Sequence, residues 1–129
     1  MTSTWVLPDD LTAAQVARRH VAAELERASV DDEVVEDTVL VASELAANAV
    51  RHGAPPVTLT LEQRGDRVRV SVRDRGSGTD PRVPAPSDTA GSGRGLAMIQ
   101  QISVDHGWDR VEDGLIVWAE LELRSRPTQ

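Results

Sequence analysis

The sequence predicts an α+β fold: a two-layer α/β sandwich with one mixed, largely antiparallel sheet covered by helices on one face. Three observations lead there. Two early segments repeat apolar residues at helical spacing, later segments alternate apolar with polar residues, and those alternating segments follow one another across short turns rather than across helical crossovers. With 129 residues, the chain has the length of one domain, residues 1–129, enough to bury one continuous core.

The elements follow in order. Leu11, Ala14, Val21, Leu25 and Ala28 recur at helical spacing behind Pro8 and the capping candidates Asp9 and Asp10, which predicts a first amphipathic helix. His20 lies within it as a plain helix histidine, because the Val21-Ala22-Ala23 that follows lacks the acidic neighbour of a phospho-accepting motif. A second helix is predicted from about Asp32 to His52, with Gly53 as its C-terminal stop and Pro55-Pro56 barring continuation. Val57 to Leu61 and Val68 to Val72 alternate as two half-buried strands of a hairpin around Arg64-Gly65-Asp66. From Arg75 to Ser92 the chain is rich in Gly, Pro, Ser, Thr and Asp with Val83 as its one large apolar residue, which predicts a loop and, at that length, a lid. Leu96, Ile99 and Ile102 suggest a third helix, then strands near Val104 to Val111 and Leu115 to Leu123.

Composition narrows the chemistry. There is no cysteine, so neither a disulfide framework nor a thiolate zinc site is available, and an intracellular setting is favoured. No basic-then-apolar leader opens the chain and no run nears about 18 apolar residues, which predicts a soluble, cytoplasmic protein that does not engage a membrane. A net charge of −7 opposes direct nucleic-acid binding. All fourteen basic residues are Arg, which excludes a phosphate-loop lysine and Schiff-base catalysis.

Three short motifs carry chemistry. Glu44 and Asn48 are four apart on the second helix, so at about 100° per residue they share a face, with Arg51 beside them and Val35, Val39, Ala42, Ala46 and Ala49 opposite. A carboxylate, an amide oxygen and a guanidinium there can serve as a general base, a hard-cation ligand and a phosphate contact, and a solvated polar face accounts for the same pattern. Asp74-Arg75-Gly76-Ser77-Gly78 follows a strand directly; it is either a strand-terminating turn or a carboxylate placed to accept a hydrogen bond from an exocyclic amine such as that of adenine. Gly91-Ser92-Gly93-Arg94-Gly95-Leu96 precedes a helix, where backbone N–H groups and the helix dipole can hold phosphates, or where glycines simply give a flexible lead-in.

In this order and context, Glu-x-x-x-Asn on a helix, Asp-x-Gly-x-Gly after a strand and Gly-x-Gly before a helix resemble the GHKL ATP-binding fold of gyrase, histidine kinases and MutL. The resemblance spans nearly the whole chain, from Ser43-Glu44-Leu45-Ala46-Ala47-Asn48-Ala49-Val50-Arg51-His52-Gly53 to Val117-Trp118-Ala119-Glu120-Leu121. Within that group it looks most like the stand-alone anti-sigma-factor serine kinases abundant in actinobacteria.

The resemblance implies ATP and Mg²⁺ as cofactors: Asn48 on the metal, Glu44 as catalytic base, Arg51 on the phosphates, Asp74 on the adenine amine, Gly93 with Gly95 lining the phosphate lid, Gly76, Gly78, Ser92, Arg94 and Leu96 as further ATP-binding residues, and an ATP lid at about 75–92. It further implies an anti-anti-sigma (STAS-type) partner bearing the accepting serine, a sigma factor that competes with it, and a tendency of relatives to form homodimers. Two positions depart from the family pattern: Ile116 stands where a Thr usually precedes the Val-Trp pair, and Gly91 where the sporulation-type kinase has an Arg. Two alternatives remain beside the kinase: a nucleotide-gated protein-binding module without kinase activity, and the detached ATPase domain of a histidine-kinase-like system.

Overall fold

The computed structural model describes residues 1–76 and 97–127. Its elements run β1 (Thr2–Leu7), α1 (Ala13–Arg27), α2 (Asp32–His52), β2 (Val57–Arg64), β3 (Arg67–Asp74), β4 (Asp105–Val111) and β5 (Gly114–Glu122), with residues 97–102 also helical. The strands form one sheet in the order β1-β2-β3-β5-β4. Each of the four pairings is antiparallel, so the α+β sandwich expected from the sequence is the one observed.

Strand alternation divides the sheet into two unlike faces. Val57, Leu59, Leu61, Val68, Val70, Val72, Ala119 and Leu121 are buried under the helices. The intervening Thr58, Thr60, Arg69, Ser71, Arg73, Ile116 and Trp118 lie on the opposite face. There Glu120 is buried by arginines: Arg69 Nε donates to its Oε2 at 2.7 Å, Arg67 donates to Oε1 at 3.2 Å, and the Arg69 guanidinium lies 3.9 Å from the centre of the Trp118 ring. Burial alone would raise the Glu120 pKa; the two guanidiniums outweigh it and hold the carboxyl below its ordinary value.

Helix α2 begins where its cap signals require, with the Asp31 side chain accepting from the Glu33 N–H at 3.2 Å. It lies between α1 and strands β2, β3 and β5. Contact on two sides widens its buried arc beyond Val35, Val39, Ala42, Ala46 and Ala49 to include Val34, Thr38, Val41, Ser43 and Leu45. The buried Thr38 hydroxyl donates to the Val34 carbonyl at 2.6 Å, which satisfies it within the helix.

Two expectations need correction. The first helix starts at Ala13, with Thr12 at its cap, and Leu11 precedes it with 96 % of its surface exposed. Its buried stripe is Ala13, Ala17, Val21 and Leu25, spaced by four, rather than one including Leu11, Ala14 and Ala28. The second correction is β1, a strand absent from the sequence reading, which pairs Thr2–Leu7 with Glu62–Val57. Leu59, fully buried in the middle of β2, marks the core's centre, and Leu59→Ala is expected to lower stability by about 2–5 kcal/mol in denaturant unfolding.

Candidate functional site

Helix α2 supplies the first group of candidate residues. Glu44 and Asn48 are half-buried and Arg51 is exposed at the helix's last turn. The polar face is therefore not simply solvated: the Asn48 amide oxygen, Oδ1, is fully buried and has no hydrogen-bond partner among the described residues. A buried acceptor left unpaired costs about 1–3 kcal/mol, so it marks a position where something else supplies the bond.

Strand β3 supplies the second group at its last residue. Asp74 has the parity of Val70 and Val72, so its carboxylate points to the helix layer and is only 5 % exposed. Its Oδ1 accepts from the Gly76 N–H, and Gly76 takes φ +76°, a torsion that glycine tolerates without strain. The Arg75 N–H donates to the Ala54 carbonyl at 2.8 Å, tying the end of β3 to the chain just beyond α2. Asp74 thus abuts Gly53 at the C-terminal end of α2, a helix end five residues or ~8 Å along the axis from Asn48 and nine residues or ~14 Å from Glu44.

Burial raises the Asp74 pKa above the ordinary 3.8, and backbone N–H groups at Gly76 and Ala54 pull it part of the way back. A raised carboxylate pKa means that ionisation opposes folding. The penalty is present above the folded-state pKa and lifts as the pH falls through it toward 3.8. Asp74→Asn is accordingly expected to raise the melting temperature at neutral pH, with the gap to wild type closing as the pH is lowered. A melting temperature at or below wild type at neutral pH contradicts this.

Glycines at the two ends of β3 and near Asp74 serve two different needs. Gly65 and Gly76 have positive φ and are required by torsion. Gly53, read from sequence as a helix stop, has φ −102° and ψ −163°, an extended conformation open to any residue. A Cβ placed there would run into the Asp74 carboxylate, and one on Gly114 would run into the Asp74 main-chain oxygen.

Parity also places Ile116. It pairs with Arg73 and Asp109 on the uncovered face, and the β5 residue opposite Asp74 is Leu115. A hollow of about 610 Å³ is lined by Thr4, Thr58, Thr60, Ser71, Arg73 and Ile116 from that face and reaches Asp74 and Arg75 at the end of β3. Much of its lining is the hydroxyl-rich back of the sheet. Gly78, Ser92, Gly93, Arg94, Gly95, Leu96 and almost all of the expected lid at 75–92 fall outside the described residues.

The donor set fits a nucleotide with a hard cation. An amide oxygen is a suitable ligand for Mg²⁺, which keeps several waters and takes the rest of its shell from phosphates. Among the described residues no cluster of three or more His, Asp or Glu side chains forms a metal cage. Asp74 has carboxylate lone pairs left after the Gly76 bond for an amine donor.

The model of the histidine kinase-like ATPase domain family matches residues 7–121. This chain belongs to that family. The histidine-kinase-like ATPase domain is similar along its whole length to part of the structure of the RsbU and RsbW domains of Rv1364c from Mycobacterium tuberculosis, with a TM-score of 0.74 at 24 % identity, spanning 33 % of that chain. The histidine kinase domain of the Erythrobacter litoralis EL346 blue-light-activated kinase aligns with 88 % of the chain and 60 % of its own at a TM-score of 0.58 and 20 % identity. The ThkA catalytic domain aligns with 95 % of each chain at 0.58 and 16 % identity. An alignment 45 positions long, covering 30 % of this chain and 8 % of its relative, shows 44 % identity to the sensor histidine kinase YpdA of Escherichia coli. Members of this GHKL group bind ATP, generally with Mg²⁺. No helix among the described residues is long and apolar enough to cross a membrane.

Proposed function

We propose that this ATPase-family domain is a Mg-ATP-dependent protein-serine kinase and anti-sigma factor that phosphorylates an anti-anti-sigma, STAS-type partner in the cytoplasm. The observation that carries the nucleotide part is the buried, unpartnered Oδ1 of Asn48 on the helix that also bears Glu44 and ends against Asp74. The full-length likeness to a structure of RsbU and RsbW domains supports the anti-sigma part.

In this reading Asn48 Oδ1 ligates the cation, Asp74 accepts from the adenine amine, and Arg51 neutralises phosphate charge. Glu44 accepts the proton of the attacking serine hydroxyl. When bound, Mg-ATP would supply the γ-phosphoryl group, which would pass to the serine oxygen as its bond to the departing ADP breaks. The protein's contribution is then positioning and electrostatics, as phosphoryl transfer requires.

A histidine-kinase-like system is the second reading, favoured by the YpdA segment. Against a phospho-accepting role for His20, its ring is stacked on Trp5, with centroids 4.8 Å apart and planes 9° from parallel. Incubation with γ-labelled ATP and candidate STAS proteins separates the two. Acid-stable label on a partner serine is expected; acid-labile label on a histidine, or no transfer to any candidate, overturns the serine-kinase reading.

A further inference from the structure

We propose that Gly53 is a positioning residue for nucleotide selectivity: the space left by its missing side chain is what seats the Asp74 carboxylate where it reads the base. The inference rests on the adenine role of Asp74 given above and adds a determinant on a different element, just past the end of α2.

Torsion does not explain the glycine. Gly53 closes α2 with its N–H bonded to the Ala49 carbonyl at 2.8 Å and continues in extended backbone, where an alanine would be at ease. Space does explain it. A Cβ at this position would overlap the carboxylate carbon and one oxygen of Asp74 and would stand 2.7 Å from the other, Oδ1. That Oδ1 is the atom bonded to the Gly76 N–H, so moving it also releases the turn that begins the Asp-x-Gly-x-Gly motif.

Gly114 closes the other side by a different route. It too lacks a positive φ, and its Cβ would press on the main-chain oxygen of Asp74 and approach Arg73 Nε to 3.4 Å. The conflict at Gly114 is with backbone, which cannot yield without moving β3. The conflict at Gly53 is with the end of a short side chain, which can swing away and leave the fold standing. Gly53→Ala therefore separates carboxylate placement from folding, and Gly114→Ala does not.

The test uses the full chain as wild type, Gly53→Ala, Asp74→Ala and the double variant, with calorimetric titration by Mg-ATP and Mg-GTP and thermal melts. Gly53→Ala is expected to weaken ATP binding by roughly 10- to 100-fold, with the ATP-to-GTP preference falling to that of Asp74→Ala and no further loss in the double variant. Wild-type selectivity in Gly53→Ala, alongside lost selectivity in Asp74→Ala, overturns the proposal and leaves the adenine reading intact. Unchanged ATP affinity in Asp74→Ala overturns the adenine reading, and the proposal with it. Should Gly53→Ala fail to fold, recovery of folding in the double variant supports the steric conflict, and an equally unfolded double variant overturns it.

Discussion

Glu44→Ala is expected to leave Mg-ATP binding largely intact and to slow phosphoryl transfer to the partner serine by about 10²–10⁴-fold, the usual contribution of a positioned general base. The geometry behind this is local. Glu44 is half-buried on α2, one helical turn before Asn48, so its carboxylate and the amide oxygen project from nearly the same side of the helix. Alanine is the strongest helix former, so the substitution does not disturb α2 itself. Calorimetry and single-turnover label transfer on one preparation give the two quantities. Transfer at the wild-type rate removes Glu44 from the chemistry. A wild-type protein that binds Mg-ATP and phosphorylates no partner, with Glu44→Ala binding nucleotide and partner normally, replaces the kinase by a nucleotide-gated binding module.

What sequence revealed and what it hid follows the range of the interactions involved. Helix α2 runs from Asp32 to His52 as the apolar spacing, Gly53 and Pro55-Pro56 indicated, because stop signals and periodicity act within a few residues. The β2–β3 hairpin was legible for the same reason: its turn, Gly65-Asp66, lies between the paired Arg64 and Arg67. Strand β1 was missed because its partner, β2, lies more than fifty residues away; the signal was the β-branched and aromatic content of Thr2-Ser3-Thr4-Trp5-Val6-Leu7. In α1 the large Leu11 outweighed the small Ala13 and Ala17, although close helix packing favours the small residues.

At the site, residue types were legible and long-range placement was not. Asp74 could be seen to end a strand and shares the parity of Val70 and Val72, while the pairing register sets it opposite Leu115 and sends Ile116 to the other face. Gly53 carried an apparent meaning as a helix stop that its extended torsion does not need. Its steric relation to Asp74 spans twenty-one positions and has no sequence signature.

Asn48→Ala is expected to weaken ATP binding at least about tenfold when Mg²⁺ is present while leaving the melting temperature unchanged or raised. Ordinarily, removing a buried amide lowers stability by the hydrogen bond it made. Here the buried Oδ1 accepts no bond among the described residues, so its removal relieves an unpaired acceptor. The functional loss is confined to the metal-bound nucleotide, because a hard cation forfeits an oxygen ligand that neither alanine nor a neighbouring side chain restores. Titrations with Mg-ATP and with ATP in excess EDTA, each on wild type and variant, measure that difference directly. An equal loss with and without Mg²⁺ assigns Asn48 to the base or sugar instead, and a lowered melting temperature gives its oxygen a structural partner within the fold.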